Sequence, residues 1–169
     1  IGALPAAEEY DVRIGREIHH PYRFEDGFVD EIMEHIAKTG TKHLGLIPDM
    51  GMFQRSISKV QQGHLIRKAH IDPAVMELAN TLCMRQVPEE ESRRIIQERF
   101  PEAKLSENFF WYTANNRPSH PERILEFAPY ILAIHGKIYE MTEAPDAPGG
   151  FEDEAVDYRT PFHYLKQAG

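Results

Sequence analysis

Apolar and polar residues alternate weakly from Val12 to Ile18, then give way to His19-His20-Pro21, as in a strand running out into a loop. Phe28, Val29, Ile32, Met33 and Ile36 recur at helical spacing, with Lys38 in the last turn and Gly40 placed to cap it. His43-Leu44-Gly45-Leu46-Ile47 is a second apolar run, too short for a helix and ended by Pro48. Strand, helix and strand in such close succession predict a βαβ unit and therefore parallel strands. From Ser56 to Glu126 the pattern turns almost wholly helical. Asp72-Pro73 predicts a helix start, an N-cap with proline at the first helical position, followed by the apolar stripe Val75, Met76, Leu78, Ala79 and Leu82. Pro88 before three glutamates predicts another, with Ile95, Ile96 and Phe100 inward and Pro101 as its stop. Phe109-Phe110-Trp111-Tyr112 is an aromatic cluster, and Pro121 opens a further helix through Ile124, Leu125 and Ala128.

So much helix exceeds the short loops and single helix of ordinary α/β units. Residues 56–128 are therefore expected to be a helical insertion over one face of the sheet. A third apolar run, Ile131-Leu132-Ala133-Ile134, reads as a strand and ends in His135-Gly136-Lys137-Ile138-Tyr139-Glu140. Thr, Pro, Gly and acidic residues make 142–154 a loop, and Thr160-Pro161 opens a last helix that Gly169 would cap.

The chain has 169 residues, enough for one domain, 1–169, with a sizeable core. Its formal net charge of -8 disfavours nucleic acid and anionic membranes as partners. Arg93, Arg94 and Arg99 are interleaved with Glu89, Glu90, Glu91 and Glu98, so they read as a solvated helix face. Cys83, the lone cysteine, fits a reducing compartment and sits among Leu78, Ala79 and Leu82 as a buried small hydrophobe rather than a nucleophile. No apolar run approaches the ~20 residues needed to span a bilayer. The N-terminal residues lack a starting Met and the basic region of a signal peptide, so a cytoplasmic protein, or an excerpt of one, is expected.

Chemistry-bearing residues close all three predicted strands: Glu17, Asp49 and His135. In parallel α/β sheets and barrels ligands gather at the carboxyl ends of strands. Two carboxylates and an imidazole are mixed oxygen and nitrogen donors, suited to Mn²⁺, Mg²⁺, Co²⁺ or Zn²⁺. Each residue also has a plainer reading. Glu17 is open to pairing with Arg13 or Arg16, Asp49 to capping the next segment, and His135 to serving as a satisfied core histidine. Their repetition at three strand ends favours the metal.

The segments Ile14-Gly-Arg-Glu-Ile-His-His-Pro, Leu44-Gly-Leu-Ile-Pro-Asp-Met-Gly and Ile134-His-Gly-Lys-Ile-Tyr-Glu-Met resemble, in order, three metal-bearing strand ends of the xylose-isomerase-like sugar isomerase/epimerase superfamily. The resemblance implies an α/β fold, part of a (β/α)8 TIM barrel with parallel strands, and proton abstraction beside a sugar carbonyl with Mn²⁺ as the foremost metal. The long insertion is similar to that of C-glycoside deglycosidase α subunits, which implies an alternative: cleavage of 3-oxo-C-glycosides by β-elimination. A barrel needs about 250 residues. The first strands and a fourth ligand, a glutamate after Gly169, are thus expected outside this sequence, or on a partner chain or another copy that completes the assembly.

Histidine suits the base that removes the proton. His19 shares Glu17's side of an extended strand, while His20 lies in the turn before Pro21; His20 is slightly preferred. Lys137 is a candidate for neutralising oxyanion charge, Arg55 for meeting a substrate group, and Trp111 for stacking on a sugar or aglycone, with surface or core packing as the alternative for each. Three rivals stand beside this reading: an endonuclease-IV-like repair enzyme, which the acidic balance disfavours, a non-catalytic barrel fragment, and a plain helical interaction domain.

Overall fold

A computed structural model describes residues 2–168. In chain order its helices and strands begin with α1 (Leu4–Glu9), β1 (Ile14–Ile18), α2 (Gly27–Thr39) and β2 (Leu44–Pro48). Then come α3 (Lys59–Lys68), α4 (Pro73–Met84), α5 (Glu89–Arg99), α6 (Glu107–Ala114) and α7 (Ile124–Phe127). β3 (Met141–Glu143), β4 (Phe151–Asp153) and α8 (Arg159–Ala168) complete the described chain. Two compact units result. One comprises the chain up to Met52, Ser119–Lys137 and the stretch from Arg159; the other comprises Phe53–Pro118 and Ile138–Tyr158.

In the first unit β1 and β2 pair in parallel, Ile14 opposite Leu44 and Ile18 opposite Pro48. The helix between them ends as its sequence dictates. Gly40 adopts a left-handed φ of 67°, and its N–H bonds the Ile36 carbonyl. Ile36 packs with Leu4 and Leu44, and Ile14, Ile32, Met33 and Tyr130 close over them. Helix α1 buries Leu4 and Ala7 in a stretch where the apolar pattern marked no element. Gly169, the expected cap of α8, lies outside the described residues.

The third apolar run differs from expectation. It is not a strand but is tied to β2 by two isolated parallel bridges, Leu46 with Ile131 and Asp49 with His135. Leu132 N–H bonds Leu46 O at 2.9 Å, and His135 N–H bonds Pro48 O at 3.0 Å. A 3-10 turn, Ala128–Tyr130, carries Pro129 just ahead of this run, so pairing begins only at Ile131. The described residues therefore give a mixed α/β fold with a two-stranded parallel sheet; they do not show the partial (β/α)8 barrel that was expected.

Gly45 is what lets the third segment approach β2. A Cβ there would stand 2.5 Å from Tyr130 O and 2.7 Å from Leu132 Cγ. Overpacking of this kind costs about 1–3 kcal/mol, so Gly45→Ala is expected to lower the urea midpoint accordingly. An unchanged midpoint would contradict the close approach.

The second unit is built on four helices. Ser58 caps α3 in a reciprocal box with Gln61, and Asp72 Oδ1 accepts the Ala74 N–H at 2.7 Å at the start of α4. Ile57, Val75, Met76, Ala79, Leu82, Ile96, Phe109 and Phe110 form its core. The aromatic cluster divides, because successive helical residues point around the axis: Phe109 and Phe110 are buried, Trp111 and Tyr112 exposed. Cys83 is buried beside Asn116, and burial pushes its thiol up to about 11, as befits a packing residue. Arg93 is engaged by Glu89 and Glu107, and Arg94 by Glu91 and Glu98.

Most of the antiparallel pair β3–β4 falls within the stretch 142–154, expected as a loop, with β3 beginning at Met141. Gly149 at φ 75° turns the chain, and the Asp153 carboxylate anchors the end by accepting the N–H groups of Tyr139, Glu140, Ala155 and Val156.

Candidate metal centre

Backbone bonds set three chain ends side by side in the first unit. Asp49 N–H reaches Ile18 O at 2.9 Å, and Met50 N–H reaches His135 O at 2.9 Å. Glu17 is the penultimate residue of β1, Asp49 immediately follows β2, and His135 ends the bridged segment. One ligand atom from each of the three lies within 4.8 Å of the others. His135 Nδ1 donates to Glu17 Oε1 at 2.7 Å. Asp49 is buried; its Oδ1 accepts the Gly51 N–H at 2.7 Å, and its Oδ2 is 3.3 Å from Lys137 Nζ.

These donors fit a divalent cation. Bonds of about 2.1 Å in octahedral geometry put neighbouring donors about 3 Å apart and opposite ones about 4 Å apart. One ligand atom from each residue lies within 4.8 Å of the others, and on ligation His135 Nδ1 would exchange the hydrogen it shares with Glu17 for the cation. Two carboxylates with one imidazole belong to the donor class of Mn²⁺, Mg²⁺, Co²⁺ and Zn²⁺. Gly51 keeps the carboxylate in place, since a Cβ there would stand 2.8 Å from Asp49 Oδ1 and 3.3 Å from Lys137 Cγ. Sequence reasoning missed this role; the signal was the Asp-x-Gly spacing, in which an aspartate accepts the N–H two residues on.

Charge reinforces the arrangement. The hydrogen bond from His135 holds the Glu17 carboxyl below the usual carboxylate range; burial opposes it, while the charges of His135, His19 and Lys137 add to it. Burial pushes the His20 imidazole down, with His19 and Lys137 acting in the same direction and Asp49 against. His20 therefore favours its neutral form while sensing two groups of the centre. His19 is exposed and donates from Nδ1 to His20 O at 2.7 Å.

Glu17, Asp49, His135 and Lys137 are thus brought together, with His20 and His19 coupled to them electrostatically. The plainer readings fare unequally. Asp49 does cap the following turn. Glu17 is hydrogen-bonded by His135, whereas the Arg16 guanidinium lies 5.2 Å from the centre of the Phe28 ring. His135 is exposed, which a core histidine would not be. Arg55 and Trp111 belong to the second unit. There Arg55 pairs with Asp157 at 2.5 Å, and Trp111 meets Tyr112 edge-on at 4.9 Å between ring centres.

No family model matches the chain. Among curated proteins it is 27% identical over 169 aligned positions to the 3'-dehydrocarminate deglycosidase alpha subunit of a Microbacterium species, an alignment covering 87% of this chain and 47% of that protein. It is 30% identical over 155 positions to the C-glycoside deglycosidase alpha subunit of Arthrobacter globiformis, covering 86% of this chain and 42% of that protein. The likeness favours the deglycosidase alternative over the isomerase reading. The chain spans less than half the length of the relatives it matches. Among the described residues, no helix is long and apolar enough to cross a membrane.

Proposed function

We propose that this chain forms the metal-binding portion of a C-glycoside deglycosidase α subunit, which cleaves 3-oxo-C-glycosides by β-elimination. The observation that carries the reading is the convergence of Glu17, Asp49 and His135 in a chain whose relatives bear that name. Glu17, Asp49 and His135 would hold a divalent cation, with Mn²⁺ the foremost candidate. When bound, the cation would supply Lewis-acid stabilisation of negative charge on the sugar's carbonyl and neighbouring hydroxyl oxygens.

The chain's own groups supply the rest. His20, neutral and beside the centre, accepts the proton from the carbon next to the 3-oxo group. The electrons of that C–H bond become a double bond in the sugar ring. The bond to the aglycone breaks, and the aglycone carbon takes up a proton. Lys137, near Asp49, is positioned to offset negative charge at the substrate oxygens. The relatives are named alpha subunits, which supports a second chain in the assembly.

The test uses the complete protein produced with its partner subunit. A 3-oxo-C-glucoside of a phenol is expected to release its aglycone, to stop doing so in chelator and to resume with Mn²⁺, while a free ketose is left unchanged. Ketose isomerisation without aglycone release would overturn the reading.

A further inference from the structure

Away from the metal-binding groups, one buried side chain of the first unit is tied to two of the loops that carry the centre. Ser119 is 1% exposed and stands where the chain re-enters that unit. Its N–H donates to Met52 O at 2.8 Å, and the Met52 N–H donates in turn to Asp49 O at 2.9 Å. Its Oγ accepts the Phe24 N–H at 3.1 Å and donates to Glu25 Oε2 at 2.8 Å. The other Glu25 oxygen accepts the His120 N–H at 3.0 Å. Burial pushes the Glu25 carboxyl up, but the bonds from His120 and Ser119 outweigh it, with help from the charge of Arg23. The group is held below the usual carboxylate range and stays an ionised acceptor. Phe24 is fully buried; its ring stacks on Phe127 with centres 4.7 Å apart, and Arg123 Nη1 donates to its carbonyl at 3.0 Å. Phe24 and Glu25 lie on the loop that leaves β1 and carries His20. The Tyr22 N–H closes that loop onto His19 O at 2.8 Å. Met52 belongs to the 3-10 turn, Met50–Phe53, that directly follows Asp49.

Strand pairing fixes where β1 and β2 end, but it does not fix the loops beyond them. A reacting group misplaced by about 1 Å costs about a hundredfold in rate. We propose that Ser119 is a positioning residue: its hydroxyl holds the loop that carries His20, and its main chain holds that loop in register with the turn that follows Asp49. The assignment rests on the deglycosidase reading for the reaction it serves. The two attachments differ chemically. The bond to Met52 O uses the Ser119 main chain and survives truncation of the side chain. The bonds to Phe24 and Glu25 use the hydroxyl and disappear with it. Ser119→Ala therefore frees the His20 loop and leaves the Asp49 turn attached. Ser119 acts through His20 and takes no part in the proton transfer itself.

The experiment uses the complete two-subunit protein, its Ser119→Ala and Glu25→Ala variants and the double variant. Aglycone release from the 3-oxo-C-glucoside of a phenol gives kcat and KM. Hydrogen exchange reads the amides of Phe24 and Met52, elemental analysis reads the metal, and NMR reads the His20 imidazole, assigned by the signals missing from His20→Gln. Ser119→Ala is expected to speed exchange at Phe24 by about tenfold while Met52 and metal content stay as in the wild type. The His20 signals should shift, and kcat should fall by about tenfold to a hundredfold with KM within about twofold of the wild type. Glu25→Ala should follow the same pattern. The double variant should lose no more than the worse of the two single ones, because both cut one attachment. Losses that multiply in the double variant, or faster exchange at Met52 with loss of metal, would mark a general loss of structure and overturn the positioning role. In an active wild type a change in kcat without one in the His20 signals, the reverse, or no change in either would overturn it too. A wild type that releases no aglycone would refute the β-elimination reading instead. The His20 signals then decide the positioning role without turnover: it stands if Ser119→Ala moves them and falls if it does not.

Discussion

Asp49→Ala, made in the complete protein, is expected to abolish the stoichiometric divalent metal proposed for the centre, as read by elemental analysis, and to lower kcat by at least about a thousandfold. Asp49 has the largest expected effect because it is the buried donor of the three and has its two oxygens held by separate groups, the Gly51 N–H and the Lys137 ammonium. Its removal would withdraw one carboxylate from beside Lys137 and one donor from the proposed cation. Asp49→Asn separates the two consequences, since it keeps the cap on Gly51 and withdraws the charge. If the centre holds metal, Asn should fold as wild type yet bind the ion far more weakly. Full metal content and full turnover in the alanine variant would dispose of the centre altogether.

The second large effect concerns His20, the proposed base. His20→Gln should reduce kcat for aglycone release by about a hundredfold to ten-thousandfold while metal content stays near wild type. The pH profile gives the sharper sign. Burial, His19 and Lys137 lower the His20 pKa from 6.5, so its neutral, proton-accepting form persists below pH 6.5. Activity is expected to hold as pH falls past 6.5 and to fail only as pH passes through the lowered value, and glutamine should erase that acid limb. An acid limb unchanged in His20→Gln would assign the base elsewhere, with His19 the next residue to test. The same shift bears on folding. Above pH 6.5 the imidazole is neutral in both folded and unfolded chains. Below it the unfolded chain binds the proton first, and stability declines.

The meeting of Glu17, Asp49 and His135 was legible in the sequence because it is written in local rules. Short apolar runs ended by proline or histidine marked where the backbone stops and chemistry starts, and the alternation of a parallel strand placed Glu17. Gly40 and Asp72-Pro73 likewise act through bonds within a few residues, and the structure shows both where the sequence put them. What was not legible depends on partners distant in sequence. The segment 131–135 has strand-like composition, but only two isolated bridges tie it to β2, and composition carries no record of how many bonds a neighbour will offer. The β3–β4 pair was hidden for the opposite reason. Its strands of three residues each are too short for alternation to register, and its order is imposed by Asp153 collecting four main-chain N–H groups. Arg55 and Trp111 were chosen for their chemistry alone, and in the second unit Arg55 pairs with Asp157 and Trp111 meets Tyr112 edge-on.

Glu17 and His135 stand 118 positions apart in the sequence, with Asp49 between them. A cation gripped by all three would act as a removable clasp, closing a loop through most of the chain and cutting the freedom of the unfolded state much as a covalent cross-link does. Loading the centre would then harden the first unit against heat and proteases in proportion to the logarithm of free ion, so the supply of metal would govern the protein's lifetime as well as its chemistry.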